Sequence, residues 1–128
     1  MLKKLCLFFC IIAPFNSYAI DAALQEKIEL CNKKSGDNCA VVGDAYYNGN
    51  GIKQDFNQAK EYNEKACELN NGYGCFLLGF QHFIGKGVKQ DHKLGIYYSE
   101  KACELKEGGG VLIPWPYLFR RTRCKAGL

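Results

Sequence analysis

The 128-residue chain carries eight cysteines, too many for an ordinary cytosolic protein of this length, and they point to an oxidising compartment or to metal binding. Its formal charge of +4 does not make it a nucleic-acid binder. Setting aside Lys3 and Lys4 at one end and Arg120, Arg121, Arg123 and Lys125 at the other leaves 11 basic against 13 acidic residues over 20–107, so no basic face follows.

The first element is a leader. Lys3 and Lys4 form a positive start, and Leu5 to Ala13 is an apolar run too short to span a bilayer as a helix. Ser17-Tyr18-Ala19 then supplies small residues where signal peptidase reads, so residues 1–19 read as a signal peptide cleaved after Ala19. The mature protein is expected to be secreted or periplasmic. Cys6 and Cys10 leave with the leader, and Cys31, Cys39, Cys67, Cys75, Cys103 and Cys124 remain.

From residue 20 to residue 107 the chain repeats itself. Glu64-Lys65-Ala66-Cys67-Glu68-Leu69 returns as Glu100-Lys101-Ala102-Cys103-Glu104-Leu105, 36 positions on. Gly49-Asn50-Gly51-Ile52-Lys53-Gln54-Asp55 returns as Gly85-Lys86-Gly87-Val88-Lys89-Gln90-Asp91 at the same offset. A period of this length marks a solenoid of supersecondary units. Asp21 to Lys33 matches the second helix of a unit, with Cys31 aligned to Cys67, so the array opens on half a repeat. A first helix is predicted over Asn38–Tyr47 and again over Tyr73–Ile84, with Val42, Ala45 and Tyr46 as its apolar stripe and the Gly-x-Gly pair as its end. Asp55 and Asp91 are natural N-caps for a second helix running to about Leu69 and Leu105, which buries Ala59, Tyr62 and Ala66. The fold class is therefore all-α, a short α-solenoid of αα-hairpin repeats.

The pattern Gly43…Tyr47-x-Gly49-x-Gly51-Ile52-x-x-Asp55-x-x-x-Ala59, with its second copy, resembles the Sel-one-like repeat family, relatives of the tetratricopeptide solenoids. The cysteine placement is similar to its disulfide-rich branch, the Helicobacter cysteine-rich proteins. Cys31/Cys39 and Cys67/Cys75 are each eight apart, so each pair would tie the end of one helical hairpin to the start of the next. Closing so short a loop stabilises by about 2–3 kcal/mol. Zinc is the competing reading, but structural zinc sites usually use closely spaced Cys-x-x-Cys ligands, which are absent, and no metal or other cofactor is expected.

The resemblance brings an enzymatic alternative, because members of the cysteine-rich family are described as β-lactamases or penicillin binders. A serine β-lactamase needs Ser-x-x-Lys. Ser35 is followed at that distance by Asn38, and Ser99 by Ala102. His82 and His92 fall on different predicted elements, His82 in a packing stripe and His92 beside a cap exposed to water, and the glutamates read as solvated faces with pairs such as Glu61 with Lys65. No catalytic residue is assigned. The leading reading is a monomeric interaction protein whose partner is another protein or a cell-wall component, without nucleic acid and without a membrane span. Tyr46, Tyr47, Tyr62, Tyr97 and Tyr98 are residues suited to a contact patch, although Tyr62 and Tyr98 occupy equivalent positions that fit the core.

The array stops in mid-unit. Cys103 predicts a partner at position 111, where Val111 stands, and Pro114 and Pro116 forbid a regular helix there. Cys103 and Cys124 are left as a third pair or as free thiols. Codons permitted for Val111 to Leu128, read one nucleotide later, allow Cys-Leu-Phe-Leu-Gly-Leu-Ile-Tyr-Phe-Ala-Gly-Gln-Gly-Val-Lys-Gln-Asp. That restores the repeat set against Cys75 to Asp91. Residues 108–128 are thus expected to be an irregular, out-of-frame tail, slipped at Gly108-Gly109-Gly110 through a length-switching tract or a sequencing error. A genuinely divergent tail is the alternative, and a truncated, inactive product of the gene is a further reading beside the interaction protein. Sequencing the gene is expected to show a long guanine run before the Val111 codon, and its absence removes the idea.

Overall fold

A computed structural model describes residues 20–105 and places five helices in them: α1 (Ala22–Asn32), α2 (Gly36–Asn48), α3 (Phe56–Glu68), α4 (Gly72–Ile84) and α5 (His92–Glu104). Residues 1–19, where the leader is expected, and the expected tail from residue 106 lie outside the described residues. Among those described there is no strand, and no helix is long and apolar enough to cross a membrane. α1 is the half-repeat; α2–α3 and α4–α5 are the two hairpins.

Four of the five helices begin where a side chain accepts from the first turn; α2 begins after Ser35 without such a bond. Asp55 accepts from the backbone N–H groups of Asn57 and Gln58 at 2.9 and 3.1 Å, and Asp91 does the same for Lys93 and Leu94. The Leu94 N–H bond is the first cause of a depressed Asp91 carboxyl pKa. Asp21 and Asn71 cap α1 and α4 in the same way, two caps not singled out above. α2 begins at Gly36, two residues earlier than the spacing suggests, because Ser35 takes the N-cap position. Its hydroxyl accepts from the Asn38 side chain.

The ends are set by glycine and by the Lys-Gln-Asp signature. Gly49 and Gly85 stand in left-handed backbone at φ 73° and 71°, a region that costs glycine nothing. The chain then turns back. Gln54 donates its side-chain amide to the Tyr47 carbonyl and Gln90 to that of Phe83. The Asp55 and Asp91 N–H groups bond the Tyr46 and His82 carbonyls. The signature therefore fixes each hairpin through both its glutamine and its aspartate.

The opposite turn, from one repeat to the next, is closed covalently. Cys31–Cys39 and Cys67–Cys75 are disulfides with Cα atoms 4.6 and 4.5 Å apart. Inside these loops Lys34 and Asn70, equivalent positions, are held at φ 66° and 60°. Non-glycine residues enter that region only at some cost. Cys103 is disulfide-bonded as well; Cys124, named with it as an expected third pair, lies outside the described residues.

The core is thin and repeats with the chain. Ala40 and Ala66 pack on Cys31 and Cys39, and Leu78 and Ala102 on Cys67 and Cys75, while Leu24, Val42 and Ala45 form a third group. Tyr46 stacks on Tyr62 with centroids 5.5 Å apart, and one period later His82 stacks on Tyr98 at 5.6 Å. One polar link interrupts this pattern. Asn63, fully buried, donates to the Gln81 side-chain oxygen at 2.9 Å, and the Gln81 amide donates to the carbonyls of Phe56 and Lys86. Gly43 has to be glycine beside it, since a Cβ there would fall on the Asn63 oxygen.

With so little core per residue, the disulfides carry a large share of stability. Replacing Cys67 and Cys75 together by alanine is expected to lower unfolding stability by about 2–3 kcal/mol, read as a lower urea midpoint. An unchanged midpoint would show that the turn holds without the bond.

Candidate functional site

The helices form two rows. α2 packs directly on α4, whereas the helices of the other row, α1, α3 and α5, stand further apart. The α2–α4 side is therefore the inner side of the curve. Positions 37, 41, 44 and 48 of α2 lie on one helical stripe, and one period later the same four positions are 73, 77, 80 and 84 of α4.

On α2 that stripe reads Asp37, Val41, Asp44 and Asn48; on α4 it reads Tyr73, Leu77, Phe80 and Ile84. Val41 and Tyr73 are each 42% exposed, which is high for apolar and aromatic groups on a packed helix face. Phe80 and Ile84 are half-buried and Leu77 is buried. Tyr73 stacks on Phe76, and Tyr47 meets both Phe56 and Phe80 edge-on. The two walls are tied at two points. The Asn71 amide donates to Asp37 Oδ1 at 2.6 Å, and the Tyr73 hydroxyl donates to Asp44 Oδ1 at 3.4 Å. Asn48 bonds the same Asp44 oxygen at 3.0 Å. Burial of part of the Tyr73 ring raises its phenol pKa, and the Asp44 charge and hydrogen bond raise it further.

The groups considered for chemistry are scattered. Ser35 is spent at a helix start, and Ser99 is buried at 1% exposure with its hydroxyl facing Gly79. His82 is buried in its stack on Tyr98. His92 does not simply face water: its ring stands edge-on to Phe83 at 6.2 Å. Among the described residues no group of three or more His, Cys, Asp or Glu is placed to hold a metal ion. The pair expected between Glu61 and Lys65 is replaced by Lys60 with Glu64 at 2.8 Å, because Lys65 lies over the Tyr62 ring, its ammonium 4.9 Å from the centroid. A cleft of about 320 Å³ between α1 and α3, lined by Asn32, Lys34, Lys65 and Glu68 among others, opens on the outer row and brings together no nucleophile and base.

Of the five tyrosines singled out from sequence, only Tyr97 is prominently exposed, at 56%. Tyr46, Tyr47, Tyr62 and Tyr98 are half-buried in ring pairs, and burial is the first cause of the raised phenol pKa of each. Tyr73 was missed. Its signal was available, since it replaces Asp37 at the first stripe position of the repeat.

The model of a family described as Sel1 repeat matches residues 39–71 and 72–107. Among solved structures, Helicobacter pylori cysteine rich protein B is similar, with 40% sequence identity and a TM-score of 0.62 over 64% of this chain and 62% of that one. The chain thus spans less than two thirds of the length of that structure. No curated protein matches it.

The Asp44→Asn variant is expected to move the Tyr73 titration down toward the ordinary phenol range while burial keeps it above. The tyrosinate absorbance of parent and variant, each differenced against its Tyr73→Phe counterpart, measures this. An unmoved titration would show that Asp44 does not act on Tyr73 in solution.

Proposed function

This chain belongs to the Sel1 repeat family, and we propose that it is a secreted or periplasmic interaction protein which holds a partner protein or cell-wall component against the inner face of α2 and α4. The observation that carries the reading is the exposed apolar stripe of that face, Val41 and Tyr73 above all. A solenoid of this kind offers a curved surface to an extended segment or a partner's helix. Two internal disulfides support a place outside the cytoplasm, since such bonds persist in oxidising compartments. The leader at residues 1–19 is part of the same proposal.

Val41 and Tyr73 are the probes of choice because neither belongs to the buried core; truncating Tyr73 gives up its stack on Phe76 and its bond to Asp44. A photo-crosslinking residue at Asn48 is expected to capture a defined partner, and one at Glu61, exposed on the outer row, to capture none. The double variant Val41→Ser/Tyr73→Ala is expected to abolish the Asn48 product while the disulfides stay formed and the chain stays folded. Equal products from Asn48 and Glu61, or a product that survives the double variant, would rule the inner face out.

A further inference from the structure

The two walls of the inner face differ in kind, and the difference says what would fit between them. At the four shared stripe positions α2 carries two carboxylates, a valine and an amide, where α4 carries two aromatic rings and two aliphatic chains. Neither Gly36–Asn48 nor Gly72–Ile84 contains a lysine or arginine, and the single histidine between them, His82, is buried in its stack. The helical lysines all lie on the outer row: Lys27 on α1, Lys60 and Lys65 on α3, Lys93 and Lys101 on α5. Of the lysines that flank the inner row, Lys34 lines the outer cleft between α1 and α3, and Lys86 is held over the Phe56 ring, 4.9 Å from its centroid. Lys33 is the C-cap of α1, and Lys53 and Lys89 stand in the turns before Asp55 and Asp91.

The carboxylates are also oriented without being neutralised. The bonds that hold Asp37 and Asp44 come from the Asn71 amide, the Asn48 amide and the Tyr73 hydroxyl, all uncharged donors. Salt bridges among the described residues occur elsewhere, at Lys60 and Glu64. The inner face therefore presents carboxylates held by uncharged donors on one wall and, on the other, an exposed Tyr73 with Phe80 and Ile84 half-buried beside it, a few ångströms apart across the Tyr73–Asp44 contact.

Resting on the reading that this face is the contact surface, we infer that its partner is an amphipathic cationic peptide segment, with Lys or Arg side chains set against α2 and aromatic or aliphatic side chains set against α4. Opposed potentials across an interface select the partner and its orientation. The α4 wall supplies the apolar burial that exposed ion pairs alone do not provide. An acidic segment would meet Asp37 and Asp44 as like charges, and a purely apolar one would leave them dehydrated without a partner.

Panning a phage-displayed library of random peptides on the immobilised, oxidised chain tests this. Enriched sequences are expected to combine Lys or Arg with aromatic or aliphatic residues. A synthetic peptide chosen from them is expected to bind about tenfold more weakly to Asp37→Asn/Asp44→Asn, the scale of two exposed ion pairs, and to weaken as salt is raised. Asparagine keeps the oxygen that accepts from Asn71 and Tyr73, so the variant retains the fold; non-reduced peptide mapping and the unfolding midpoint check it. Enrichment of acidic or uncharged peptides that are lost with Val41→Ser/Tyr73→Ala would overturn the charge inference and leave the surface reading intact. Peptides that bind that double variant as well as the parent, or no enrichment at all, would overturn both.

Discussion

The structure depends on the short covalent loop that closes each repeat onto the next. An array of half a repeat and two hairpins cannot bury enough apolar surface to offset the entropy of ordering its residues by a wide margin. Its buried side chains are mostly alanine, cysteine and single leucines or valines. The disulfides act on the opposite side of the balance by restricting the unfolded chain. Once Cys31–Cys39 and Cys67–Cys75 are closed, the turn between them has little choice. The left-handed backbone at Lys34 and Asn70 closes α1 and α3, where the Ser35 and Asn71 N–H groups bond the Leu30 and Ala66 carbonyls. Helix direction, the spacing of the rows and the curvature of the inner face follow from that turn.

Within this frame the two hairpins have diverged where the repeat does not constrain them. The aspartate caps of the second helices, the Gly-x-Gly ends and the glutamine that bonds back to the first helix are the same in both, since each satisfies backbone groups that every copy leaves open. The stacked pair is conserved in place and changed in chemistry, tyrosine on tyrosine in one copy and histidine on tyrosine in the next. The inner stripe is not conserved even in polarity. Where its side chains are exposed, as at Asp37, Val41 and Asn48 on α2 and Tyr73 on α4, the stripe is free to differ, and an acidic wall beside an aromatic one bears there on contact rather than on folding.

Most of the fold was legible in the sequence because most of it is local. A 36-residue period, an aspartate before each second helix and glycines after each first one act over a few residues, and periodicity compares the copies directly. What escaped depends on non-local geometry. Asn63 and Gln81 meet across two repeats, and neither has a counterpart in kind: Ser99 stands one period after Asn63 and Ala45 one period before Gln81. A comparison of copies reads such singular pairs as noise. Lys60–Glu64 and Glu61–Lys65 have the same i,i+4 spacing, and only the position of the Tyr62 ring, which draws Lys65 over its face, decides between them. Exposure was not legible for a related reason: tyrosine content marks both cores and interfaces, and it took burial to separate Tyr73 from Tyr46 and Tyr47.

Stapled turns and an adaptable face belong together. A segment that docks on a surface loses its own freedom, and any order it must impose on the receptor is a further cost. Here the receptor side is ordered in advance. Both aspartates are held by hydrogen bonds from neighbouring side chains, Tyr73 rests on Phe76, and the helices that carry them are fixed to their neighbours at disulfide-closed ends. A small array can then present a usable contact surface without a large core, and its chemistry can change stripe by stripe without disturbing the turns. The same logic places the lysines. Cations scattered on α1, α3 and α5 keep the outer row hydrated, and their absence from α2 and α4 leaves the inner face with a single sign of charge, the condition under which a charged partner is told apart from its neighbours.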